Sequence, residues 1–246
     1  MVDYKNKDLR GSDFDIVDLA DSRFHNVNLS GVVIRGAWMK DVDIDGAIEN
    51  VTINGVDIGP LIEAELNRRY PDRHKMQPST AEEFREAWAV LERLWPETVD
   101  RARRLPPEML HERVNGDWSF IETLRHLVFA TDAWVKRALL GDPAPYSPLG
   151  LPHSEMEADP IVPNDPDARP SLDEVLEVRA DRMATVRKVI ADLTDEQLAG
   201  MTEAVAPPGY PPSKSYPVKR CVFAIINEEW LHRLYAERDL AVLASR

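Results

Sequence analysis

The sequence predicts an α+β chain. A short N-terminal segment turns a corner every five residues, and a four-helix bundle with a long crossover connection follows it. Three observations carry this prediction. Large apolar residues recur at every fifth position from Leu9 to Ile44, four helix-start signatures mark the remainder, and a proline-rich stretch separates the second and third helical segments.

The repeat comes first. Leu9, Phe14, Leu19, Phe24, Leu29, Ile34, Met39 and Ile44 share the spacing, and two positions before most of them stands a small or β-branched residue such as Ser12, Val17, Ser22 or Val27. After a slip near Gly46 the pattern resumes as Val51, Ile53, Val56 and Ile58. A period of five fits neither the 3.6 of a helix nor the 2 of a strand, but it suits a chain that bends every few residues. This stretch resembles the pentapeptide-repeat family, whose chains wind into a four-sided right-handed β-helix with two apolar positions of each repeat pointing inward. The resemblance implies a β-helix over residues 1–59 of roughly two to three coils, which would need a cap or a partner surface because stacked repeats bury little alone.

Gly59-Pro60 reads as a helix start with Pro at the first helical position, followed by Leu61, Ile62 and Leu66 at helical spacing. Residues 60–79 are therefore expected to form a capping helix and a polar, proline-containing linker. From residue 80 to 246 the pattern is helical. Thr80 with Glu83, Ser119 with Glu122, Ser171 with Glu174 and Thr194 with Gln197 match the capping box, in which hydroxyl and carboxyl or amide oxygens satisfy free N–H groups at a helix start. Long helices are predicted at about 80–104, 119–140, 171–191 and 217–244. The intervening "GDPAPYSPLGLPHSEMEADPIVPNDPDARP" cannot continue a helix, and its length indicates a crossover.

Composition narrows function. A formal charge of −13 and a pI near 4.9 argue against nucleic acid or anionic lipid as partners. The single cysteine, Cys221, excludes a disulfide framework and multi-cysteine metal sites. With no apolar run at the start and none of membrane-spanning length, a cytoplasmic protein is expected.

One stretch carries chemistry. In "INEEWLHRLYAERDL", Glu228 and His232 lie one helical turn apart on what reads as an apolar stripe with Cys221, Ile225 and Tyr235, while Glu229, Arg233 and Glu237 read as the solvated face. A buried carboxylate neutralises, pairs or binds a metal, and a carboxylate and an imidazole four residues apart can chelate one ion. Among the other long helices, the second supplies His126, flanked by the small Ala130 and Ala133. Glu122 is a rival donor with a simpler capping role, and Cys221 and the tryptophans Trp118, Trp134 and Trp230 read as packing residues. Arg238 and Asp239 would brace the site or pair locally. His153, Glu155, Tyr210 and Tyr216 lie on connections that could shape a pocket above an ion.

His126 in "TLRHLVFATDAW" together with the Glu-x-x-x-His of "NEEWLHRLYAERDL" resembles the DinB-like superfamily of metal-binding four-helix bundles, over about residues 80–246. That superfamily includes damage-inducible proteins and maleylpyruvate isomerase and other mycothiol- or bacillithiol-dependent transferases. The resemblance implies a divalent metal, zinc or nickel, at His126, Glu228 and His232, with an open position for a low-molecular-weight thiol such as mycothiol. It implies as partners that thiol and an electrophilic substrate, and as function a thiol-dependent transferase or isomerase. The alternative is a non-catalytic metal-binding bundle whose repeat segment serves as a protein-interaction or homodimerisation face. A third reading, an acidic rod mimicking DNA, ranks low because the repeat segment is short.

Overall fold

Each predicted capping box forms. In the computed structural model, which describes residues 4–246, the hydroxyls of Thr80, Ser119, Ser171 and Thr194 accept from the amide three residues on, and the matching Glu or Gln accepts from the cap amide. These caps open α2 (Ala81–Ala102), α3 (Phe120–Thr131), α4 (Leu172–Asp192) and the one-turn α5 (Asp195–Leu198). Upstream lie α1 (Gly59–Arg69), with Pro60 in its first turn, and a two-residue hairpin, β1 (Thr52–Ile53) against β2 (Val56–Asp57), joined by Asn54 and Gly55 in the left-handed conformation. The last helix is α6 (Val218–Ala244), entered from Pro217. Beyond Thr131, α3 continues as wider π-helical turns over Asp132–Leu139. The helix bounds agree with the predicted ones to within two residues.

The chain divides into two compact units, Met1–Ile48 and Glu49–Arg246. In the first, the period of five is written in the backbone. Every fifth residue from Asn6 to Asp41 has a positive φ, and Asp8, Asp18 and Asn28 each accept from the amide two residues on. The predicted β-helix is not seen. Among described residues 4–48 there is no strand, and the apolar positions meant to point inward are exposed, Phe14 by 59% and Phe24 by 62%. So few turns provide neither ladder partners nor an interior. The first three residues of that prediction lie outside the described ones.

In the second unit, α2 and α3 each pack against both α4 and α6. The core they enclose includes Phe84, Leu91 and Trp95 of α2, Leu124 and Leu127 of α3, Val186 and Ile190 of α4, and Ile225 and Ile226 of α6. α1 buries none of its residues. The expected linker after it is a packed turn instead: Met76 of a 3₁₀ turn (Arg73–Met76) enters the core, and Arg73 pairs with Glu63 at 2.6 Å.

The expected solvated face of α6 is the clearest correction. Glu229 is 2% exposed and forms a two-pronged ion pair with Arg179 of α4 at 2.9 and 3.2 Å, while the Arg179 guanidinium stacks 4.7 Å from the Trp95 ring. Arg233 is also buried, and Glu237 accepts from Thr98 and Arg101 of α2. Helical periodicity alone marks as polar a face that the bundle turns inward. No helix among the described residues is long and apolar enough to cross a membrane.

Candidate metal centre

α3 contributes His126 and α6 contributes Glu228 and His232, and one donor atom from each lies within 4.8 Å of the other two. Glu228 Oε2 stands 3.3 Å from His126 Nε2 and 3.0 Å from His232 Nε2. Donors sharing one tetrahedral ion at about 2.1 Å would sit about 3.4 Å apart, so the spacing is of the right size.

The loop after α3 orients the first imidazole. Leu151 N–H donates to the Arg125 carbonyl at 3.1 Å, and Arg125 itself donates to the carbonyls of Leu149, Asp165 and Ala168, which lays this connection along α3. The Leu151 carbonyl then lies 3.0 Å from His126 Nδ1. A carbonyl can only accept, so Nδ1 carries a proton and Nε2 of the neutral ring is left with a lone pair. That lone pair faces a carboxylate oxygen. Two acceptors at 3.3 Å need a cation between them, and either a second ring proton or a metal ion meets that need. This is the observation that makes the donor set fit a divalent ion.

Burial by itself would raise the Glu228 pKa, but hydrogen bonds and charge from His126 and His232 outweigh it and hold the carboxyl well below the usual range. The site is closed on one side and open on another: the side chains of His126, His232 and Glu228 are 8%, 18% and 30% exposed. Trp118, immediately before the α3 cap, packs its ring 4.5 Å from His126 and 5.8 Å from His232. Its role against both histidines was not legible, although its place beside a capping box was.

The remaining candidates separate clearly. Glu122 is occupied by its capping duty and by Arg113 at 2.5 Å, and it is not part of the donor cluster. Cys221 is buried in a cluster with Ala138 and Tyr216, and burial pushes its thiol up to about 11. Arg238 pairs with Asp239 and Asp117. Of the loop residues, His153 and Tyr210 come together with ring centroids 5.3 Å apart, and Tyr210 lies 5.7 Å from Phe129, itself 6.1 Å from His126. Burial, then the His126 charge, lowers the His153 pKa, and burial, then the Glu228 charge, raises that of Tyr210. Arg137 of the π-helical turns, which sequence reasoning passed over, holds the loop carrying Tyr210 by donating to the carbonyls of Ala206 and Pro208.

Fold and site together define a helical bundle with a His-Glu-His centre built from its second and fourth long helices. The family model of the DinB superfamily matches residues 90–236, more than half of the chain, and the chain belongs to that superfamily. No curated protein and no solved structure matches it at a significant level.

Proposed function

We propose that this protein is a divalent-metal-dependent, thiol-dependent transferase or isomerase, with His126, Glu228 and His232 as the metal ligands. One observation carries the reading: three donors from two helices converge on a point that is walled by Trp118 and still open to solvent at Glu228. Three protein ligands characterise catalytic rather than structural zinc, because a position remains for a small molecule. When bound there, zinc or nickel would hold a low-molecular-weight thiol as its thiolate, the nucleophilic form. The chain's own part is to fix the His126 tautomer through Leu151, to keep Glu228 anionic, and to exclude water on the Trp118 side. Membership of the DinB superfamily agrees with this use of the site, and mycothiol is the thiol that the Glu-then-His order favours by resemblance.

For residues 4–48 we propose descent from pentapeptide repeats, on the strength of the left-handed turn at every fifth residue. The proposed activity is tested by loading the full chain with zinc or nickel and supplying mycothiol or glutathione with an electrophile. Turnover that vanishes in His232→Ala supports the enzyme. Full metal occupancy with no turnover for any thiol supports a non-catalytic metal-binding bundle instead.

A further inference from the structure

Four arginines lie deep in the bundle, and three of them are satisfied. Arg179 has the Glu229 carboxylate, and Arg125 and Arg137 each donate to three backbone carbonyls. The fourth, Arg233, departs from this pattern. It is 8% exposed, and its Nε is sealed from solvent without an acceptor. Its one hydrogen bond among the described residues runs from Nη2 to Glu237 at 3.4 Å, longer than an ordinary charge-assisted bond. Glu237 is already committed, one oxygen to the Thr98 hydroxyl and the other to Arg101, each at 2.5 Å. A buried cation with donors to spare is costly unless something supplies the acceptor.

Arg233 lines a cleft of about 460 Å³ bounded by α2, α6 and the turn at residues 69–72. Arg69, Arg101 and Arg238 also line it, but each is already paired with a carboxylate, Glu65, Glu237 and Asp239 respectively, so Arg233 is the cation of the wall with donors to spare. Apart from Asp72 and Glu237, the rest of the wall is apolar or aromatic, with Leu94, Leu234 and Trp230, the last set edge-on to Tyr70 at 6.2 Å. Arg233 follows His232 directly, so it leaves α6 about 100° around the axis from the donor cluster, and the cleft shares no lining residue with that cluster.

We propose that this cleft binds a small organic oxyanion, a carboxylate or a phosphate monoester, with the anionic group on Arg233 and the apolar body against Trp230 and Leu234. A guanidinium fork matches either oxyanion, and the shared chemistry is what the cleft recognises. The site is independent of the metal ion.

The test is calorimetric titration of the full-length protein with benzoate, phenyl phosphate and inorganic phosphate. One organic probe should bind with one site per chain and a Kd below about 1 mM. Whichever of benzoate and phenyl phosphate binds tighter identifies the oxyanion class. Arg233→Gln should weaken binding at least about tenfold. Glu237→Gln, which removes the carboxylate competing for Arg233, should tighten it several-fold. Should Arg233→Gln fail to fold, the Glu237→Gln result decides alone, because a purely structural arginine gives no tightening. The proposal is overturned if neither organic probe saturates by about 10 mM. It is likewise overturned if inorganic phosphate binds as tightly as phenyl phosphate, if the two variants leave binding unchanged, or if His232→Ala abolishes it and so moves the anion to the metal centre.

Discussion

Glu229→Ala separates two pictures of α6 by a wide margin. If Glu229 lay on a solvated face, its truncation would change stability by no more than about 0.5 kcal/mol. In the structure its carboxylate is 2% exposed and takes both prongs of the Arg179 fork at 2.9 and 3.2 Å, and Arg179 is itself 3% exposed. Removing one partner of such a pair leaves a buried charge without its counter-ion, at a cost of about 3–5 kcal/mol. For a domain of this size each kcal/mol lowers Tm by about 2–4 °C, so the melting point should fall by roughly 6–20 °C. Replacing both residues together, Arg179→Met with Glu229→Leu, should restore most of the loss, because an apolar pair needs no counter-ion. The assay is urea unfolding at pH 7.5 with the metal chelated throughout, so that ligand binding contributes equally to every variant. A loss under about 1 kcal/mol for Glu229→Ala, or a double variant as unstable as the single, would refute the reasoning.

Smaller perturbations probe the surroundings of the site. Burial tends to raise the Glu122 pKa, but Arg113 and the Ser119 amide outweigh it and leave it lowered. Its contribution is therefore present above the unfolded carboxylate value of about 4.3 and is lost as pH falls through the folded one. Glu122→Gln should cost about 1 kcal/mol at pH 7 and progressively less towards pH 3, as read from pH-dependent melting. Trp118→Ala removes the ring packed on both histidines and should weaken metal affinity about tenfold against a competing chelator. Cys221, buried and with its thiol pushed up to about 11, should react with a disulfide reagent at pH 8 only as fast as the chain opens.

What the sequence disclosed depended on how local the cause was. Capping boxes involve residues three apart, so four helix starts were readable, and Glu228 with His232 were readable because one turn of a single helix joins them. His126 needed a second helix to be brought alongside, which only the family resemblance supplied. The burial of Glu229 and Arg233 could not be read, because on an isolated helix they present the same polar stripe whether water or Arg179 lies opposite. The Leu151 carbonyl is still less legible, since a backbone acceptor has no sequence signature. In residues 4–48 the period of five did specify turns, but it could not say whether they stack into a ladder.

The arrangement at His126 allows a metal ligand to be told from a structural ion pair by the sign of one substitution. With the Leu151 carbonyl holding the Nδ1 proton, neutral His126 offers Glu228 a lone pair, and the pair is satisfied only by an intervening cation. Where the second ring proton and the metal are both absent, the site carries that opposition. Glu228→Gln places an amide N–H where the carboxylate oxygen was, and the N–H can donate to the Nε2 lone pair. The metal-free variant should then be at least as stable as the metal-free parent. With zinc or nickel at 100 times its Kd, however, the parent should gain about 2.7 kcal/mol that the variant cannot. Thermal melts with chelator and with metal, run on both proteins at pH 8.5, give four values that decide it. If Glu228→Gln is the less stable with chelator present, and metal shifts neither protein, then Glu228 is an ion-pair partner of its histidines and the centre holds no metal.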